Sequence, residues 1–195
     1  MRSAFLMLIA VIPVLAAPRH SVTVLLDFDQ PHSEDSVKAM RAEAKQLLTG
    51  SGIDLDLRLR SEVPENAEFV NVLVFKMTGR CTMDPNPILL DERGPLAEAY
   101  ETDGRILSFG AIHCDQIKAL MKHSPKPGFF SRGAMLFGTA LGRVLAHDAY
   151  HMLGDTGTHT KKGVTRAALS PADLSELGPL FDEDARDRIQ RKLNR

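Results

Sequence analysis

His147 and His151 stand four residues apart. On a helix that spacing puts two imidazoles on one face, about one turn apart, where both can grip a single metal ion. Asp148 directly follows the first histidine and places a carboxylate beside such an ion without making it a ligand. The chain then meets Gly154 and Gly157, which let it turn back, and His159 follows as a candidate third ligand. Three neutral imidazoles with one open position form the coordination of a catalytic zinc. Asp155, or an acid on the next helix such as Asp173, is a rival third ligand. The bland alternative is a set of histidines satisfied by hydrogen bonds, with no metal.

The element that must carry the pair is a helix capped by Ser131 and running to about Leu153. Its first half, Gly133 to Ala146, is apolar nearly all round, which marks a buried helix. Glycine lowers helix propensity, so Gly138 and Gly142 predict close packing, here expected against a sheet. Arg132, Arg143 and the histidines exclude a membrane-spanning role for it.

The elements before it follow from periodicity. Val22 to Leu26 reads as a strand. Ser33 is an N-cap, with Glu34 and Asp35 in the first turn where the helix dipole favours acids. Val37, Met40, Ala44, Leu47 and Leu48 recur at helical spacing, predicting a helix over 34–49 that Gly50 and Gly52 stop. Ile53, Leu55, Leu57 and Leu59 alternate with charged residues, the mark of a half-buried strand. Phe69 to Phe75 is more continuously apolar and is expected at the centre of the sheet. Residues 81–104 read as a long irregular excursion, a length that tends to be functional. A strand over 106–112 and a helix over 115–123 follow. The tail holds Ser170-Pro171, a helix start with Pro at N1, and a charged helix near Asp184 to Leu193.

Composition narrows the function classes. Acidic and basic residues number 25 and 24, which argues against electrostatic recruitment to nucleic acid or anionic lipid. Trp is absent, so stacking platforms for bases or sugars are not advertised. Arg2 and the apolar run from Ala4 to Ala17 read as a signal peptide over 1–17, too short for a bilayer span of about 20 residues. An uncleaved anchor is the other reading of that run. The expected location is secreted or periplasmic. Cys81 and Cys114 are the two cysteines. Each ends a predicted strand, and in an oxidising compartment they are expected to pair; two buried thiols are the alternative.

His147-Asp148-Ala149-Tyr150-His151-Met152-Leu153-Gly154, with His159 beyond it, resembles the zinc-binding segment of the metzincin clan of metallopeptidases. That clan carries His-Glu-x-x-His-x-x-Gly-x-x-His on its active-site helix, followed by a Met-containing turn. The resemblance implies an α+β, zincin-like fold. Its twisted mixed sheet of about four strands would pack against an N-terminal helix and a buried active-site helix, with a small helical C-terminal part. It implies one domain over 18–195, divided into 18–154 with the sheet and active-site helix and 155–195 as a C-terminal subdomain. It further implies Zn2+ on His147, His151 and His159, with Asp148 as general base in hydrolysis of a peptide or protein substrate. No nucleic-acid partner, no membrane contact beyond the signal sequence and a monomeric state are expected.

Three positions depart from the clan's pattern. Asp148 replaces Glu and is one methylene shorter. His159 lies eight residues after His151, two more than the pattern has. Thr165, in Gly163-Val164-Thr165, stands where the Met of the turn would fall. The alternative function is therefore a catalytically weak or inactive zincin-like protein serving as a binding module. Tyr150 and Met152 flank the ligands and are read as core residues. His20, His32, His113 and His123 are scattered, with surface or structural roles as the default.

Overall fold

The structure is a computed structural model and describes residues 20–83, 94–122, 133–176 and 181–194. The expected signal segment, the Ser131 cap and His123 lie outside these residues.

Strand β2 (Ile53–Leu59) buries Ile53 and Leu55 and exposes Asp54 and Arg58, as its alternation requires. It pairs in parallel with β1 (His20–Phe28), placing Val22 opposite Leu55. On its other side β1 pairs in parallel with β3 (Val72–Thr78), which in turn pairs in parallel with β5 (Arg105–His113). The fifth strand, β4 (Ala97–Thr102), runs antiparallel to β5 and forms the edge, giving the order β2-β1-β3-β5-β4.

Among the described residues the sheet thus has five strands rather than about four. The extra one lies inside the stretch read as irregular. Asp103 and Gly104 both adopt positive φ, 50° and 72°, and turn β4 directly into β5. That is the backbone of a two-residue hairpin turn, which Asp-Gly favours because two left-handed residues match the strand twist. β3 is central as expected, but it starts at Val72 rather than Phe69. Val70 is 98% exposed. The strand instead runs on through Lys76 and Met77, so that Leu73, Phe75 and Met77 share the buried face.

Helix α1 (Glu34–Thr49) is capped by Ser33, whose hydroxyl accepts from the Ser36 N–H, with Glu34 and Asp35 in its first turn. Helix α2 (Cys114–Met121) follows β5 directly. Helix α3 (Gly133–Gly154) is buried over most of its length. Val22, Val24 and Leu26 of β1 and Leu73, Phe75 and Met77 of β3 form one core with Met40 and Leu48 of α1 and Phe137, Leu141 and Val144 of α3. Full burial of each such large apolar side chain contributes roughly 1.5–3 kcal/mol.

The α3 glycines serve a contact different from the one expected. A Cβ on Gly142 would lie 2.8 Å from the Met40 carbonyl oxygen and from Glu43 Cβ, and one on Gly138 would collide with the Ser36 carbonyl. Gly138 and Gly142 therefore let α3 cross close against α1, not against the sheet. This contact fixes the axis from which the histidines project.

Two short elements complete the chain. Helix α4 (Pro171–Ser175) has Ser170 as N-cap in a reciprocal capping box with Asp173. Helix α5 (Glu183–Leu193) buries Ala185 and Ile189 and ties back to the turn between α1 and β2, its Gln190 amide donating to the Ser51 carbonyl at 2.6 Å. Cys81 and Cys114 form a disulfide with their Cα atoms 5.1 Å apart, which pins the segment after β3 to the start of α2. Among the described residues no helix is long and apolar enough to cross a membrane.

Candidate metal centre

His147 and His151 project from the C-terminal half of α3, one turn apart. Each ring is oriented through its Nδ1. His147 Nδ1 donates to the Val164 carbonyl oxygen at 2.8 Å, and His151 Nδ1 donates to the Thr156 carbonyl oxygen at 2.6 Å. A carbonyl only accepts, so both Nδ1 atoms carry the proton and both Nε2 atoms of the neutral rings present a lone pair. These two Nε2 atoms face each other at 3.0 Å.

His159 joins them from the segment that folds back after α3. The three histidines offer ligand nitrogens that all lie within 4.8 Å of one another. Its ring centroid stands 4.8 Å from that of His151 and 5.2 Å from that of His147. The two rival acids are engaged elsewhere. Asp155 accepts from the Ile106 N–H and pairs with Lys192, and Asp173 is held by Arg166 and Ser170.

Burial is the main force on protonation here. It lowers the pKa of His147 from 6.5 to about 4, with the neighbouring His151 and His159 acting in the same direction and the Val164 hydrogen bond opposing. His151 is also lowered, mainly by burial. A proton is therefore a poor occupant of the space between the two Nε2 atoms near neutral pH. A divalent cation is a good one: two nitrogens at about 2.0–2.1 Å from a tetrahedral zinc stand about 3.3 Å apart. The donor set thus fits zinc.

Asp148 lines the same cleft and has no hydrogen-bond or ion-pair partner among the described residues. Burial raises its pKa from 3.8 to about 7, and the charge of Glu98 adds to the rise. The cleft has a volume of about 530 Å³. Val144, His147, Asp148 and His151 of α3 lie along it, together with Ala97, Ala99 and Glu101 of β4 and, from the returning chain, Arg166 and Leu169. A larger hollow of about 750 Å³ between α1 and the start of α3 has none of these histidines in its lining.

The turn at Gly163-Val164-Thr165 reaches the site through its backbone. Val164 supplies the carbonyl that orients His147, while the buried Thr165 hydroxyl pairs with that of Thr160 at 2.6 Å. Besides the Thr156 carbonyl that orients His151, two contributors escape a reading based on side-chain type. The Val164 carbonyl is one; the Tyr150 hydroxyl, which donates to the Thr158 carbonyl at 2.9 Å, is the other. Tyr150 is fully buried, as a core residue should be, yet its tip reaches the ligand-bearing turn. The remaining described histidines stay apart: His20 bonds Asn194, His32 stacks on Phe28, and His113 bonds Thr78.

The mixed five-stranded sheet, the long helix bearing the histidine pair and the returning third histidine form one α/β arrangement. The chain shares its fold with archaemetzincin from Methanopyrus kandleri, with a TM-score of 0.52 at 14% identity, over 90% of this chain and 97% of that one. No family model and no curated protein sequence matches the chain.

Proposed function

We propose that the protein is an exported zinc-dependent hydrolase of peptide bonds, with zinc held by His147, His151 and His159. The observation that carries this reading is the pair of facing Nε2 lone pairs, 3.0 Å apart and each fixed by a proton committed to a carbonyl on the far side of its ring. Two such lone pairs repel unless a cation lies between them. Zinc bound there supplies a Lewis acid and a water acidic enough to act near neutral pH.

Asp148 is the general base in this reading. A carboxylate in the cleft beside the three histidines can take up a proton and give it back. With no partner among the described residues, its oxygens are placed to engage the reacting groups. Among the described residues β4 forms the sheet edge, and an extended peptide adding to that edge would lie beside the histidines. The disulfide and the apolar N-terminal run support export, because disulfides persist in oxidising compartments.

A second reading keeps the zinc and drops the reaction, leaving a binding module. The shorter arm of Asp148 favours it, since a misplacement of about an ångström can lower a rate about 10²-fold. Zinc analysis of purified protein, followed by digestion of a mixed peptide library, tests both. About one zinc per chain with chelator-sensitive cleavage supports the hydrolase. Zinc without cleavage leaves the binding module, and absence of zinc after gentle purification sinks both readings.

A further inference from the structure

His159 differs from the other two histidines in how it is held. His147 and His151 are each anchored by an Nδ1 hydrogen bond, whereas the His159 ring makes none among the described residues and is exposed. Its place depends on the backbone to either side. On the downstream side the Thr160 N–H donates to the Thr165 carbonyl at 3.0 Å. On the upstream side the Thr158 carbonyl, directly before His159, accepts from the Tyr150 hydroxyl at 2.9 Å.

We propose that Tyr150 is a positioning residue for the metal, its hydroxyl holding the turn at residues 156–158 so that His159 completes the site. The inference rests on the zinc reading above. Tyr150 neighbours His151 on α3, and their side chains grip alternate carbonyls of one turn: Tyr150 takes Thr158, and His151 takes Thr156. Between these grips the turn is braced internally. The Thr158 N–H donates to Thr156 Oγ1 at 3.2 Å, and the two threonine hydroxyls pair at 2.8 Å. The eight-residue interval from His151 to His159 is therefore tied to α3 by two side-chain hydrogen bonds. Tyr150 itself cannot shift to follow a loose turn, because its ring is fully buried and packs near Phe181.

The test is a double-mutant cycle on zinc affinity, read by competition with a chelating dye, over wild type, Tyr150→Phe, His159→Ala and the double variant. Phe keeps the buried ring and removes only the donor. Tyr150→Phe should weaken zinc binding by about 10–100-fold, the usual effect of losing an outer-shell partner. In the His159→Ala background the same change should have no further effect, because the ligand it positions is gone. Cobalt substituted for zinc gives a second readout: the visible band of Tyr150→Phe should shift toward that of His159→Ala. Thr156→Val, which loosens the turn from within, should weaken zinc in the same direction and serves if Tyr150→Phe fails to fold. Affinity within twofold of wild type in Tyr150→Phe, or losses that multiply in the double variant, would overturn the inference and leave the zinc reading standing. A wild-type protein that binds no zinc overturns both.

Discussion

Arg143 and Glu43 join α3 to α1 through a bond of 2.7 Å between the guanidinium Nε and a carboxylate oxygen, with the arginine side chain 6% exposed. The same guanidinium donates through Nη1 to the Asp173 carbonyl at 2.6 Å and so reaches α4 as well. One buried cation thus holds three helices around the root of the histidine-bearing segment.

Removing one partner of a buried pair leaves the other charge uncompensated, and that penalty exceeds the net worth of the pair. Arg143→Met should lower unfolding free energy by about 3 kcal/mol, measured by urea denaturation. Pairing it with Glu43→Leu should recover most of the loss. A single variant as stable as wild type would show that the pair contributes nothing.

The metal-free protein should carry two opposed pH dependences. Unfolded His147 takes up its proton near 6.5, but the folded form resists until about 4, so stability contributed by this group falls as pH falls through that window. Asp148 acts in reverse. Its folded pKa of about 7 against 3.8 means that the folded form holds the extra proton between those values, and stability rises as pH falls. Wild type should therefore show a shallow profile from pH 6.5 to 4. Asp148→Asn should expose the histidine effect, losing on the order of 3 kcal/mol across the window at 1.36 kcal/mol per unit. Parallel profiles for the two proteins would contradict this assignment of the charges.

Asp148 also separates chemistry from binding. Asp148→Asn should abolish peptide hydrolysis while leaving about one zinc per chain, since the residue is not a ligand in the proposed set. Asp148→Glu restores the missing methylene and should raise the rate by up to about 10²-fold. If native protein and Asp148→Glu are both silent on a mixed peptide library, the enzyme reading fails.

The disulfide spans 33 residues of sequence. Closing a loop of that length removes chain entropy from the unfolded state and stabilises the fold by about 4 kcal/mol in the loop-closure picture. The variant with Cys81→Ser and Cys114→Ser should unfold at lower denaturant concentration yet still bind zinc, because neither cysteine is among the three candidate ligands. Loss of zinc in that variant while it remains folded would contradict the independence of the two.

Local periodicity made much of the architecture legible. Ser33 and the Val37-Met40-Ala44-Leu47 stripe announce α1, and the alternation of Ile53 to Leu59 announces β2, because each depends only on neighbours along the chain. The histidine pair is legible for the same reason. β4 escaped because its inner face carries only Ala97 and Ala99, too small to stand out as a hydrophobic pattern, although Asp103-Gly104 was a usable turn signal. The partner of Gly138 and Gly142 was hidden too: a helix that needs close approach does not say whether a sheet or another helix will approach. Least legible were the groups that orient the candidate ligands. The carbonyls of Thr156 and Val164 belong to no residue type, and only the folded path of residues 155–165 brings them to the rings.

His147 meets its acceptor 17 residues further along the chain, and His151 meets its own five residues on, beyond the end of α3. Without residues 155–165 folded over the helix, neither ring has the carbonyl that holds its Nδ1. A chain in which that segment is unfolded therefore lacks the ring geometry that the finished fold has. The facing pair of Nε2 atoms is thus a tertiary property, complete only once residues 155–165 lie over α3.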